Sequence, residues 1–241
     1  MKALSLRQAA PLAGVAAAAT VGLVPAVARW FEYDRVRIAS GEYWRLVTGH
    51  LAHVSFEHFA WDVAAFVVAG IVCARLAPSL AWKTIAASAA AVPAALWALS
   101  PELELYRGLS GIDSALFAAA AVWIGAEAVA RRDRVEAGLV GLAGGGFVAK
   151  IGYEWIVGDP FFLGGSSGMV AVPLAHGVGA LTGLAVAIAG RNALDAEKGS
   201  TPECLFPEAP VKHNEGRHEG NAEPKLDRPP AGSLDLLTRL R

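Results

Sequence analysis

Six apolar runs alternate with short polar connectors along the chain, at residues 9–28, 50–74, 80–99, 109–130, 135–157 and 168–190. Each is close to the roughly 20 residues that a helix needs to cross the hydrocarbon of a bilayer. Lys2 and Arg7 precede the first, Ala/Val-rich run in the manner of a signal peptide. Five more runs follow it, so an uncleaved first helix accounts better for the whole pattern. Lys150 and Glu154 interrupt the fifth run, at the i,i+4 spacing that lets them pair on one helical face. The pattern predicts an all-α membrane protein with six transmembrane helices in residues 1–191.

Small residues crowd the last three runs, with Gly141, Gly144, Gly145 and Gly146 in the fifth. Ala175, Gly179 and Gly183 recur every fourth residue in the last run, a stripe that lets helix backbones approach closely. Basic residues fall at alternate connectors: Lys2 and Arg7, Arg75 and Lys83, Arg131, Arg132 and Arg134, then Arg191 and Lys198. The positive-inside rule makes those connectors cytoplasmic and puts both termini inside. The first opposing connector is an exception, with Arg29, Arg35, Arg37 and Arg45 beside Trp30, Tyr33, Tyr43 and Trp44. That mixture predicts an interfacial element on the outer leaflet. From residue 192 onward prolines, charges and glycines replace the apolar pattern. Such a segment buries too little apolar surface to offset its ordering entropy, so 192–241 reads as a disordered, cytoplasmic polar tail.

Composition agrees with the pattern. Of 241 residues 54% are hydrophobic, mean hydropathy is +0.41, and charged residues make up 18%, below the roughly 25% of ordinary domains. A formal net charge of −1 supplies no basic field, so nucleic acid is not an expected partner. Cys73 and Cys204 form neither a disulfide framework nor a zinc spacing.

Polar groups at membrane depth are costly, and so point to function. Ser110 opens the fourth run in Gly108-Leu109-Ser110-Gly111. The glycines permit a tight turn, and a helix start offers unpaired N–H groups where an oxyanion can form. The same tetrapeptide is equally read as a helix-packing start. His176 lies about two turns into the sixth run, on the small-residue stripe, where a neutral imidazole can take and return a serine proton. A lone histidine there can instead be an interhelical hydrogen-bonding residue. In the second run His58 and Asp62 share a helical face, and a protonated Asp62 together with His58 can donate to an oxyanion. The rivals for this region are a metal site from His50, His53 and Glu57, without an HExxH motif, and, favoured over both, structural hydrogen bonding by His53. Asp113, on the serine's own helix, is poorly placed to orient His176 and reads as a neutral packing or water-linked acid.

In combination these motifs resemble the rhomboid intramembrane serine proteases over residues 9–190: GLSG in the fourth run, AHGVGALTG in the sixth, and HVSFEH followed by Asp62 in the second. The resemblance implies a six-helix rhomboid-like bundle, a Ser110–His176 dyad, and an oxyanion site from the Ser110 N–H, His58 and Asp62, with no cofactor. Asp62 stands where the family usually has asparagine, and Ser114 where many members place an aromatic. Gly41-Glu42-Tyr43-Trp44-Arg45-Leu46, Thr48-Gly49-His50 and the stretch Tyr106–Gly111 look like the rhombosortase branch. That branch implies a bacterial inner-membrane enzyme with its site toward the outer face. Its partners would be membrane proteins carrying a Gly-Gly sorting segment and a C-terminal transmembrane anchor.

Overall fold

In the computed structural model, which describes residues 5–158 and 172–200, the apolar runs form helices. α1 (Leu6–Val21) leads through a turn to α2 (Pro25–Phe31). The connector then folds as β1 (Tyr33–Asp34), α3 (Arg35–Ala39), α4 (Arg45–Thr48) and a 3-10 turn at Gly49–Leu51. α5 (Phe56–Leu76) and α6 (Leu80–Leu99) are followed by β2 (Leu105–Tyr106), α7 (Ser110–Ala130), α8 (Arg134–Val157) and α9 (Pro173–Ser200). Five of these helices, α5 to α9, are long and apolar enough to cross a membrane, and α1 with α2 makes a sixth if that bent pair is one span. Their outward faces are apolar, as at Trp82, Leu142 and Ile156, and suit lipid better than water.

The first predicted span is not one straight helix. Ala9–Val21 and Pro25–Phe31 meet at an angle of 118°. Pro25 has no N–H to continue α1 and instead opens α2. Gly22 lies so close to the Leu51 carbonyl that a β-carbon there would sit 1.9 Å from its oxygen. The break therefore belongs to the packing of the chain on the 3-10 turn.

The predicted interfacial element is only partly surface. Trp30 and Trp44 stack 5.8 Å apart and are exposed together with Tyr43, but Tyr33 is fully buried. Three of its arginines are engaged in the structure. Arg45 is buried, donating from Nε to Glu42 at 2.6 Å and from Nη1 to the Arg29 and Glu32 carbonyls. Arg35 donates to the carbonyls of Leu96, Trp97 and Ser100 at the C-terminus of α6, where a cation complements the helix dipole. Arg37 pairs with Asp34 and Glu42. These contacts hold the connector together.

The small-residue stripe of α9 meets α7. A β-carbon on Gly179 would fall 1.9 Å from the Gly111 carbonyl oxygen, and one on Gly183 at 1.9 Å from that of Ala115. Contacts advance by four residues on both helices, so α7 and α9 run parallel with their N-termini at one end. α5 runs the same way, since Asp62 reaches Leu109 and Cys73 reaches the Leu116 carbonyl. α9 continues to Ser200, past the expected boundary at 192. Ala193, Leu194, Ala196 and Glu197 are good helix formers, and leaving the apolar stretch does not require leaving the helix. The remaining tail, 201–241, lies outside the described residues.

Candidate active site

One end of the bundle is organised around the segment that leads into α7. Tyr33 pairs with Tyr106 across the two antiparallel two-residue strands, and the Gly108 N–H donates to the Gly49 carbonyl at 3.1 Å. Arg107 Nε donates to Glu32 at 2.7 Å. Gly108 has φ +118°, a left-handed conformation that favours glycine. A β-carbon there would also stand 2.8 Å from Asp62 Oδ2 and from His58 Cε1. Both the backbone and the available space demand glycine at this position, one residue pair ahead of the serine.

Asp62 Oδ2 accepts the Leu109 N–H at 2.8 Å. His58 Nε2 stands 3.2 Å and His53 Nε2 3.4 Å from that same oxygen. In the structure this oxygen of Asp62, a residue expected to donate to an oxyanion, serves as an acceptor for the loop before Ser110. His58 and Asp62 do occupy one face, as expected, but together they clamp the residue before Ser110.

Ser110 is the first residue of α7, and the first helical bond there runs from the Asp113 N–H to the Leu109 carbonyl. The Ser110 N–H has no carbonyl one turn behind it. Its side chain interacts with the Tyr106 phenol, whose O–H also donates to the Gly108 carbonyl. Burial pushes that phenol above its ordinary range, so it is a neutral O–H. Ser114, one turn on, returns its hydroxyl to the Ser110 carbonyl at 2.7 Å.

His176 lies in the first turn of α9, closer to the helix start than expected because α9 begins at Pro173. Residues 168–171 of the predicted span lie outside the described residues. A β-carbon on Gly111 would touch the Ala175 carbonyl at 3.2 Å, so the chain neighbours of Ser110 and His176 meet backbone to backbone. Both side chains line an open cavity of about 970 Å³ bordered by α5, α7, α8, α9 and the β2 segment, although no hydrogen bond joins them. His58, Asp62 and Asp113 line it too.

Two residues that sequence reasoning assigned only to each other also reach this cavity. Glu154 of α8 accepts at 2.8 Å from His176 Nδ1, and Lys150 Nζ is 2.7 Å from its other oxygen. The available signal was an acid inside a span, which is costly unless used. The alternative metal ligands do not converge: His50 and His53 are buried while Glu57 is exposed. Among the described residues no three acidic, histidine or cysteine side chains are grouped to hold a metal ion.

Comparison with models of known protein families, and with curated proteins, finds no match to this chain.

Proposed function

We propose that the protein is an intramembrane serine protease of rhomboid type, in which Ser110 is the nucleophile and His176 the base. The observation that carries the proposal is the seam of α7 on α9. It brings the start of both helices to one cavity, with a serine on one and a histidine on the other, in parallel register. The serine oxygen attacks a peptide carbonyl while its proton passes to the imidazole. The imidazole then returns that proton to the departing amine. The Ser110 N–H at the start of α7 is the proposed oxyanion donor, and His58 with Asp62 fixes the loop that aims it. For the reaction to begin, the Ser110 hydroxyl must leave Tyr106 and reach His176.

The finer reading follows the rhombosortase-like motifs. A bacterial inner-membrane bundle of six spanning helices would present this cavity at the outer face and cut clients near a C-terminal Gly-Gly segment that precedes a transmembrane anchor. Glycines suit a site at the start of a helix, because the scissile backbone must approach Ser110 without side-chain clashes. The test is co-expression with a client bearing Gly-Gly, one transmembrane helix and a basic end, beside a Val-Val version of it. Cleavage of the first alone, and none by Ser110→Ala, is expected. Equal cleavage of both, or cleavage of an ordinary rhomboid substrate only, replaces this reading with that of a general rhomboid protease. If no client is cut and Ser110 resists serine-directed reagents, the remaining reading is a rhomboid-like protein that binds membrane clients.

A further inference from the structure

We infer that Glu154 is a positioning acid for His176, which would convert a two-residue site into a serine–histidine–glutamate relay spanning three helices. The inference rests on the serine-protease reading and deepens it. Glu154 is the one buried residue of α8, and its carboxylate is used at both oxygens. Oε1 faces the Lys150 ammonium at 2.7 Å and Oε2 faces His176 Nδ1 at 2.8 Å. Lys150 Nζ is also 3.4 Å from His176 Nδ1, so the ring nitrogen has two candidate neighbours requiring opposite tautomers. An ammonium can only donate, and a carboxylate without a proton can only accept. The shorter contact is to the carboxylate, and the ammonium has its own acceptor in Oε1. Nδ1 therefore carries the hydrogen and Nε2 the lone pair, the arrangement a general base needs.

Other charged or titratable groups at the cavity do not supply this contact. Asp113 shares α7 with Ser110, and its Oδ1 is buried without a hydrogen-bond partner. Asp62 on α5 is committed to Leu109, with His58 beside it. Among the described residues Glu154 makes the shortest contact to Nδ1 of the imidazole. During attack the Ser110 O–H bond breaks, the Oγ–carbon bond forms, and the proton moves to Nε2. The carboxylate keeps its charge throughout and stabilises the imidazolium without receiving a proton. Lys150 keeps that carboxylate oriented when the ring is neutral.

The test uses the full-length protein in detergent with a fluorophosphonate, whose fluoride the Ser110 oxygen displaces as the proton passes to His176. Glu154→Leu and Glu154→Gln are compared with wild type by labelling rate, final labelled fraction and the imidazole N–H signals in NMR. In Glu154→Leu the labelling rate should fall about 10²-fold, the scale of a misplaced catalytic group, while the final fraction stays at the wild-type level. Glu154→Gln, which retains shape and a carbonyl acceptor, should fall less. The Nδ1–H signal of His176, identified by its loss in His176→Ala, should disappear in the Leu variant. A wild-type labelling rate in Glu154→Leu would overturn the inference, as would an unchanged Nδ1–H signal or a fall in final fraction that matches the fall in rate. Failure of the wild type itself to label removes the protease reading instead. The assignment of Glu154 to the His176 ring then stands or falls on the NMR signal.

Discussion

α8 and α9 are both rich in small residues, yet they use them in opposite ways. In α9 the glycines at 179 and 183 lie against the carbonyls of α7, where no side chain fits. In α8 a β-carbon added at Gly138, Gly141, Gly144, Gly145, Gly146 or Gly152 would meet no atom within 4 Å. α8 touches α7 through larger groups, with the Phe117 and Phe147 rings 4.8 Å apart and Val140 against Gly125. What α8 buries is an acidic side chain, that of Glu154. Glycine content therefore does not by itself identify a close helix interface. Spacing does not separate the two helices, since Ala137, Gly141, Gly145 and Ala149 of α8 also recur every fourth residue; what differs is the α7 backbone lying against the α9 stripe.

The contrast is open to direct attack. Gly179→Val forces side-chain atoms into the Gly111 carbonyl, a backbone group with little room to yield. It should cost about 3 kcal/mol or more, the upper end of overpacking, and lower the thermal midpoint in detergent. Gly108→Ala should cost roughly 1–3 kcal/mol for its left-handed backbone and also displace Asp62 or His58. Thermal denaturation together with a cleavage assay would register both effects. Gly145→Ala should instead be neutral or stabilise by roughly 0.5–1 kcal/mol, since alanine is the better helix former and meets no neighbour. A destabilisation of the same size would mean that α8 packs more closely than the contrast requires.

The smallest effect is expected away from both helices, at Glu42. Hydrogen bonding to Arg45 holds its carboxyl below the usual range. Its contribution is complete above the ordinary glutamate range and lost as pH falls through the depressed one. Glu42→Gln should lower the thermal midpoint slightly at neutral pH, with the difference closing in acid.

Much of this was legible in the sequence, for identifiable reasons. The spans announced themselves by length and hydropathy, and the α9 stripe by its period of four. Ser110 stood out through its glycines, and His176 as an imidazole at membrane depth. The turn after Val21 was less visible, because hydropathy does not register a change of direction and only Pro25 signalled it. The strands Tyr33–Asp34 and Leu105–Tyr106 are too short to show a period. Asp62 was legible as an important polar residue, but its direction of hydrogen bonding depends on the Leu109 amide, which lies 47 residues away in the chain. The Glu154–His176 contact was hidden for the same reason. The i,i+4 spacing to Lys150 can be read along one helix, whereas contact with an imidazole on α9 depends on how two helices are set against each other.

The central claim is that Ser110 and His176 act as one unit. It is tested most directly by the initial cleavage rates of Ser110→Ala, His176→Ala and the double variant, in preparations with matched thermal midpoints. Residues that work together lose nearly everything at the first substitution, so both single variants should fall to the rate of the double. Normal cleavage by purified Ser110→Ala, or single losses that multiply to give the double, would contradict the account.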